Sequence, residues 1–265
     1  MQNFWIQNID PIIFKLGPLP IRWYGLMYIL GFIAGYFILM HRQKRNLLQL
    51  PSSEAVQDMM FYGFCGLLIG GRLGECILYD PIHYLTRPWE MLMVWHGGMS
   101  SHGGFAGAVI GIYIYSRKNN LSTIYLLDSF AIAVTPGLCF GRIGNFINGE
   151  LWGKVTDIPW AVIFPAIDMQ PRHPVQIYQA IAEGIIPFLI LIWVGRKKRT
   201  VGLLSGLFII IYSILRIATE YFRERADVLE SLGLFNMTNG QLYSILFLIF
   251  GIWFIIYSKR KNVIL

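Results

Sequence analysis

The sequence contains few charged residues. Only 14% of its 265 positions are Asp, Glu, Lys or Arg, and 55% are hydrophobic, whereas soluble domains carry about 25% charged residues. This composition excludes a large soluble domain and predicts a membrane protein that crosses the bilayer several times.

Cysteine is also scarce. Cys65, Cys76 and Cys139 all lie within or at the ends of apolar segments, where cysteine behaves as a small hydrophobic side chain. No Cys and His spacing fits a metal site, and no disulfide framework is indicated. We therefore expect no metal, and no motif for an organic cofactor is recognisable.

The sequence has no long basic tract, although its formal net charge is +7. The Lys and Arg residues lie in short loops between apolar runs, where membrane orientation requires them. We therefore expect no nucleic-acid partner.

Seven runs are apolar enough, or nearly so, to cross a bilayer, which takes about 20 mostly apolar residues in a helix. They are residues 21–40, 55–78, 98–115, 121–140, 175–194, 201–218 and 241–257. Glycine and polar residues interrupt the third and fourth runs. Because no internal repeat or long linker is visible, we expect an all-α polytopic membrane protein with seven transmembrane helices in one domain, residues 1–265.

Basic residues mark alternate loops of this topology. They follow the first, third, fifth and seventh runs, as Arg42, Lys44, Arg45, Arg117, Lys118, residues 196–199 and residues 259–261. The other loops are longer and mix acidic with basic residues. The positive-inside rule then predicts that the N-terminus lies outside and the C-terminus lies in the cytoplasm.

Residues 141–153 form the most informative polar stretch, Gly-Arg-Ile-Gly-Asn-Phe-Ile-Asn-Gly-Glu-Leu-Trp-Gly. An ionisable side chain at bilayer depth costs about 2.5–3.5 kcal/mol, so we interpret the stretch as a functional site. Arg142 offers a planar fork that suits phosphate, and one helical turn would bring Asn145 and Asn148 to the same side. The alternative is a polar helix cap in which Glu150 completes a salt bridge.

A second polar stretch, residues 96–104, precedes or opens the third run. Its glycines allow a ligand to approach the backbone closely, and His102 can take or give a proton near neutral pH. The alternative is a tight turn of small residues that serves helix packing.

The sixth run ends in three charged residues at helical spacing. Arg216 and Glu220 are four apart, and Glu220 and Arg223 are three apart, so all three face one side of a helix. Arg223 is then a second candidate cation for the site. A surface pair between Glu220 and Arg223, which would contribute little, is the alternative.

Tyr24, Arg172 and His173 complete the candidate site near the outer face. Tyr24 lies at the outer end of the first run, where an aromatic residue is also typical of an interfacial anchor. Arg172 and His173 directly precede Pro174, which suits a helix start at the fifth run.

In these motifs the chain resembles the prolipoprotein diacylglyceryl transferase family. Residues 141–153 match the family signature at every defined position, and residues 97–104 are similar to its histidine motif. Residues 22–25, 172–174 and 240–241 resemble further family segments in the same order, so the resemblance covers nearly the whole chain. Gln179 departs from the pattern, since the family segment suggests a glutamate there.

The resemblance implies an enzyme of the bacterial cytoplasmic (inner) membrane whose site faces the outer leaflet. Such an enzyme moves the diacylglyceryl group of phosphatidylglycerol to the thiol of the lipobox cysteine in a prolipoprotein signal peptide. The products are a thioether-linked lipid and glycerol phosphate, and the reaction is the first step of lipoprotein maturation.

The resemblance also implies roles for the candidate residues. His102 matches the histidine proposed to take the thiol proton, with water, bound phosphate or Glu220 as alternatives, and Arg142 and Arg223 would clamp the phosphate leaving group. The residues expected to bind substrate are Tyr24, Asn145, Asn148, Glu150, Gly153, Arg172, His173 and Glu220.

Two other function classes stay open from the residues alone. A transporter or flippase for an anionic lipid would use Arg142 and Arg223 as relay charges, but transporters usually place their site between repeated halves, and no repeat is visible. A structural subunit would not need so many polar groups near one leaflet.

Overall fold

Helices dominate the computed structural model of the chain, which describes residues 4–93, 98–224 and 238–261. The helices are α1 (Trp23–Lys44), α2 (Ser53–Gly74), α3 (Pro81–Thr86), α4 (Ser101–Lys118), α5 (Thr123–Asn148), α6 (Val175–Gln179), α7 (Ile186–Gly195), α8 (Leu203–Glu220) and α9 (Asn239–Lys261). One π-helical segment (Glu75–Tyr79) continues α2, and a second (Ala180–Ile185) joins α6 to α7. A 3-10 turn (Pro88–Leu92) follows α3.

Six helical segments in the described part of the chain are long and apolar enough to cross a bilayer. They are Trp23–Lys44, Ser53–Ile77, Thr123–Asn148, Val175–Gly195, Leu203–Glu220 and Gly240–Arg260. Large apolar side chains stand on their exposed faces, such as Phe37, Ile69 and Trp193 at 65%, 61% and 62% exposure. So much exposed apolar surface marks contact with lipid, and the prediction of a multi-pass membrane protein is confirmed.

The helices follow the predicted apolar runs, with one clear difference. The fourth run was expected to end at residue 140, but α5 continues to Asn148. Arg142 and Asn145 therefore lie in the last turns of a helix and not after it. The third run corresponds to α4, whose 18 residues are not among the six segments named above.

Residues 1–38 and 128–265 form one compact unit. Ile132, Leu191 and Leu204 make a buried core between α5, α7 and α8. At one end of this core, Asp128 accepts hydrogen bonds from the backbone N–H groups of Gly202 (2.7 Å) and Ser205 (2.8 Å). The carboxylate thus caps the start of α8 and fixes that helix against α5.

The π-helical segment of this unit packs directly on the backbone of α5. A Cβ atom on Gly184 would lie 2.5 Å from the Cβ atom of Cys139, so only glycine fits there. This close approach brings Glu183 to the level of Arg142, which lies one helical turn beyond Cys139.

Short strands lie outside the helices and were not predicted from the sequence. In the same unit, β2 (Ile12–Leu16) and β3 (Leu19–Arg22) form an antiparallel hairpin that leads into α1. A three-stranded sheet joins β1 (Trp5–Ile6), β4 (Val162–Ile163) and β5 (Pro171–Arg172) in the order β1-β4-β5. Trp5 stacks on Phe146 of α5, with ring centroids 5.5 Å apart, so the sheet packs on the end of that helix.

Residues 39–127 form the second compact unit. Its helices α2 and α4 approach so closely that a Cβ atom on Gly66 would lie 2.1 Å from the carbonyl oxygen of Gly107. Ser100 caps α4, since its Oγ accepts a hydrogen bond from the N–H of Gly103 at 3.1 Å. Gly103 also lies against Gly70, so this glycine after His102 serves helix packing.

Candidate active site

Glu183 lies at the centre of a charged cluster in the first unit. Its side chain is fully buried. Its Oε2 accepts hydrogen bonds from Nε and Nη2 of Arg142 at 3.0 and 2.9 Å, and its Oε1 accepts one from Nη1 of Arg216 at 2.9 Å. One carboxylate therefore orients two guanidinium groups that come from α5 and α8.

Glu220 extends the cluster along α8. Its Oε2 lies 2.9 Å from Nη2 of Arg216, and its Oε1 lies 3.5 Å from Nη1 of Arg223. Arg216, Glu220 and Arg223 thus share one side, as their spacing predicted. With Arg142 and Glu183 included, three arginines and two glutamates give the cluster a formal net charge of +1.

Asn145, Asn148 and Gln176 converge on Glu150, just beyond the end of α5. Glu150 Oε1 accepts hydrogen bonds from the amide groups of Asn145 (2.8 Å) and Asn148 (3.3 Å). Its backbone carbonyl accepts one from Nε2 of Gln176 at 2.7 Å. Since Asn145 lies one turn from Arg142, this group adjoins the charged cluster.

Tyr24 packs at the same end of α5. Its ring lies so near Gly144 that a Cβ atom there would approach Cδ2 to 2.7 Å. The hydroxyl is 3.2 Å from that of Tyr28 and close enough to Asn145 and Glu150 to interact with both electrostatically.

Arg172 is engaged by the loop around it. It donates two hydrogen bonds to Asp168 (3.2 and 2.6 Å), one to Glu224 and one to the Gly153 carbonyl (both 3.1 Å). The hydrogen bonds from this guanidinium hold the pKa of the Asp168 carboxyl below its usual range. A Cβ atom on Gly153 would lie 2.4 Å from the His173 carbonyl oxygen, so Arg172 fixes a segment that admits only glycine.

His173 belongs to an aromatic group beside this loop. Its ring contacts Tyr178 and Phe222, with centroids 5.9 and 5.1 Å apart, and its Nδ1 is 3.3 Å from the Tyr178 hydroxyl. Burial, and to a smaller degree the charge of Lys154, lower the pKa of His173.

His102, the predicted base, lies in the first turn of α4 in the second unit. Its side chain falls outside the described residues.

Comparisons with known proteins identify the family of the chain. The sequence pattern of the prolipoprotein diacylglyceryl transferase family matches residues 11–257. The chain belongs to this family. The proteins called phosphatidylglycerol–prolipoprotein diacylglyceryl transferase in Geobacter sulfurreducens and Dechloromonas aromatica are similar to it at 45% and 43% identity, each over 258 residues. These alignments cover 97% and 96% of this chain, and 98% and 97% of the relatives.

A third relative of the same name, from Nitratidesulfovibrio vulgaris, is 40% identical over 255 residues, which is 95% of either chain. The resemblance drawn from the motifs is therefore confirmed. The chain is an enzyme of the transferase class, and nothing in the comparisons favours the transporter or flippase.

Most of the site residues predicted from the sequence fall into three groups, and contacts in the structure hold each group together. Arg142, Glu220 and Arg223 belong to one charged cluster, Asn145, Asn148 and Glu150 to the group beside it, and Gly153, Arg172 and His173 to the neighbouring loop. Their individual roles stay predictions.

Sequence reasoning missed Glu183 and gave Arg216 no role in the phosphate clamp. Glu183 is a lone acid in the middle of a predicted transmembrane run, and such a residue is a site candidate by default. That signal was sufficient to single it out. Arg216 was noticed for its spacing, but its pairing with Glu183, 33 positions away, is visible only in the fold.

Proposed function

We propose that this chain transfers the diacylglyceryl group of phosphatidylglycerol to the lipobox cysteine thiol of a prolipoprotein. The observation that carries the proposal is the pair of arginines, Arg142 and Arg216, held by the one buried carboxylate of Glu183. Relatives of nearly full-length similarity carry the name of this activity.

The leaving group explains why two fixed arginines are needed. When the bond between the glyceryl carbon and the phosphate oxygen breaks, negative charge develops on glycerol phosphate. Guanidinium groups that are already oriented stabilise this charge in the transition state without reorganising. Because Glu183 and Glu220 hold Arg142 and Arg216 in place, they prepare such a clamp, and Arg223 provides a further cation beside it.

The thiol is the nucleophile in this reaction. The cysteine loses its proton, its sulfur forms a bond to the glyceryl carbon, and the electron pair of the broken carbon–oxygen bond leaves with glycerol phosphate. A free cysteine has a pKa of about 8.5, so a base increases the fraction of reactive thiolate. We assign this step to His102.

The groups around Glu150 bind the headgroup side of the lipid. Asn145, Asn148, Tyr24 and Glu150 offer neutral and acidic hydrogen-bonding groups next to the arginines. Because Gly153 has no side chain, the His173 backbone can lie close to it. The contacts of Arg172 and His173 hold the loop that contains them in position. These two residues act by supporting the site.

The proposed topology has seven spans in the cytoplasmic (inner) membrane and one domain over residues 1–265, with α4 as the third span. The N-terminus lies outside and the C-terminus in the cytoplasm, because α1 and α4 end in basic residues and residues 196–199 and 259–261 are basic. The charged cluster then faces the outer leaflet, where the lipobox of a translocated prolipoprotein is within reach.

A transfer assay tests the proposal. Purified protein in detergent receives phosphatidylglycerol and a lipobox peptide, and both glycerol phosphate and lipidated peptide are measured. Arg142→Ala and Arg216→Ala should each lower turnover by about 100-fold or more, as the loss of one transition-state donor does. Arg117→Ala, an exposed arginine at the end of α4, is the matched control and should keep full activity.

The result that contradicts the proposal is a folded wild-type protein that binds lipid but releases no glycerol phosphate. Retained activity in both arginine variants would be compatible with the transferase proposal but would contradict the role of the two arginines as a phosphate clamp. Loss of activity in His102→Ala with lipid binding intact is expected if His102 takes the proton.

A further inference from the structure

Gln179 is a buried polar residue whose amide has no hydrogen-bond partner in the described part of the chain. Its side chain is fully buried, and neither Oε1 nor Nε2 has a hydrogen-bond partner among residues 4–93, 98–224 and 238–261. Buried side-chain amides nearly always have partners. Gln179 ends α6 and precedes Glu183 by four residues, so the two side chains are about one helical turn apart on the same chain segment.

Two other side-chain oxygens in this part of the fold are also buried without a hydrogen-bond partner in the described residues. Oε1 of Gln176 and Oδ1 of Asn148 are buried without a partner in the described part of the chain. Their NH2 groups are fixed, because Gln176 donates to the Glu150 carbonyl and Asn148 donates to the Glu150 carboxylate. Rotating either amide by half a turn would bring two acceptor oxygens together, so the unpaired atoms are oxygens.

These three acceptor oxygens are sites for donor groups of a ligand. An ionised phosphate and an ester carbonyl carry no donor, whereas a hydroxyl group both donates and accepts. The amide of Gln179 likewise offers both, and so it matches a hydroxyl. A headgroup ammonium also donates, but the excess positive charge of the adjacent cluster disfavours it.

We propose that Gln179, with Gln176 and Asn148, binds the hydroxyl groups of a polyol headgroup and selects phospholipids that carry them. This inference rests on the proposed function, since it assigns the specificity of the same lipid site.

Phosphatidylethanol is the probe that isolates this contact, because it keeps the phosphodiester and both acyl chains but has no hydroxyl in its headgroup. Affinities of short-chain phosphatidylglycerol and phosphatidylethanol are measured by native mass spectrometry in detergent, and both lipids are also tried in the transfer assay. Wild type should prefer phosphatidylglycerol by about tenfold or more, the scale of one or two hydrogen bonds.

Gln179→Met, whose side chain is of nearly equal size, should reduce that preference to within about twofold. The main cause should be a lower affinity for phosphatidylglycerol. It should also raise the Tm of the lipid-free protein by a few degrees, because a buried unpaired amide is removed. The matched control is Gln170→Met on an exposed loop position, which should keep the wild-type preference and Tm.

An unchanged lipid preference in Gln179→Met would overturn the inference and assign the amide to bound water. If Gln179→Met does not fold, Gln176→Met gives the second measurement. A wild-type preference for phosphatidylglycerol over phosphatidylethanol in that variant would overturn the inference as well. A wild type that prefers phosphatidylglycerol in binding but transfers nothing would contradict the transferase proposal and leave the headgroup inference standing.

Discussion

Glu183 is a charged residue in an otherwise apolar helix, and the contacts of its two oxygens account for its presence there. Burying a carboxylate without partners is energetically costly. Here Arg142 approaches Oε2 with two nitrogens and Arg216 approaches Oε1 with one. The same contacts fix the arginines, so removing the carboxylate disturbs three helical segments together.

Replacing Glu183 with Gln should destabilise the protein by about 3–5 kcal/mol, the cost of leaving buried charges without their partner. Glu224→Gln is the control, because Glu224 is 40% exposed and pairs with Arg172 at the edge of the unit. We expect that variant to lose about 1 kcal/mol or less. Unfolding by SDS titration measures both, and equal losses would contradict the central position of Glu183.

His173 should titrate below the usual range of a histidine, because burial and Lys154 disfavour its charged form. A pKa lowered by folding adds stability at pH values above the unfolded pKa, about 6.5. That contribution is lost as the pH falls from 6.5 through the folded pKa.

NMR of ring-labelled protein, assigned with His173→Gln, gives the midpoint for His173. Lys154→Met should raise that midpoint slightly, since it removes the smaller of the two causes. A midpoint at or above 6.5 in the wild-type protein would contradict the environment described for His173.

At the scale of elements, apolar runs predicted the helices well because a bilayer imposes both length and composition. The prediction ended the fourth run too early, since glycines and polar residues lower the hydropathy of Arg142 to Asn148 although the helix continues. Glu183 was overlooked because the hydropathy of its run is an average over mostly apolar residues. Its partners lie 41 and 33 positions away in sequence, and no local pattern reports contacts between helices.

The π-helical segment, Ala180–Ile185, depends on the absence of a side chain at Gly184. In Gly184→Ala the new methyl group would lie 2.5 Å from the Cβ atom of Cys139 and 2.7 Å from its Cα atom. Overpacking of this kind costs about 1–3 kcal/mol. The segment must move away from α5, which lengthens the bond between Glu183 and Arg142 and should lower turnover by about tenfold.

Gly137→Ala is the matched control on α5. A Cβ atom at Gly137 meets nothing within 4 Å among the described residues, so stability should be unchanged or higher by up to about 1 kcal/mol. Thermal unfolding and the transfer assay decide between the two glycines. A Gly184→Ala protein with wild-type stability and turnover would show that the segment tolerates displacement.

At the scale of the whole molecule, the direction of every helix after α4 depends on whether α4 crosses the bilayer. Its 18 residues span about 27 Å at 1.5 Å per residue, close to the hydrocarbon thickness of about 30 Å. Basic residues end α4, as they end α1. Both observations favour a crossing helix that runs from the outside to the cytoplasm.

Single cysteines in a cysteine-free background test this topology with a membrane-impermeant maleimide. Arg87→Cys and Asp157→Cys should be labelled in spheroplasts, whereas Asn120→Cys and Lys198→Cys should be labelled only after permeabilisation. All four positions are exposed. A missing label therefore shows that the membrane blocks the reagent, and not that the side chain is buried. Labelling of Asn120→Cys from outside would mean that α4 does not cross, and α5 would then run toward the cytoplasm. Asp157 would lie inside with the loop that carries Arg172, and the charged cluster would face the inner leaflet, away from translocated prolipoproteins.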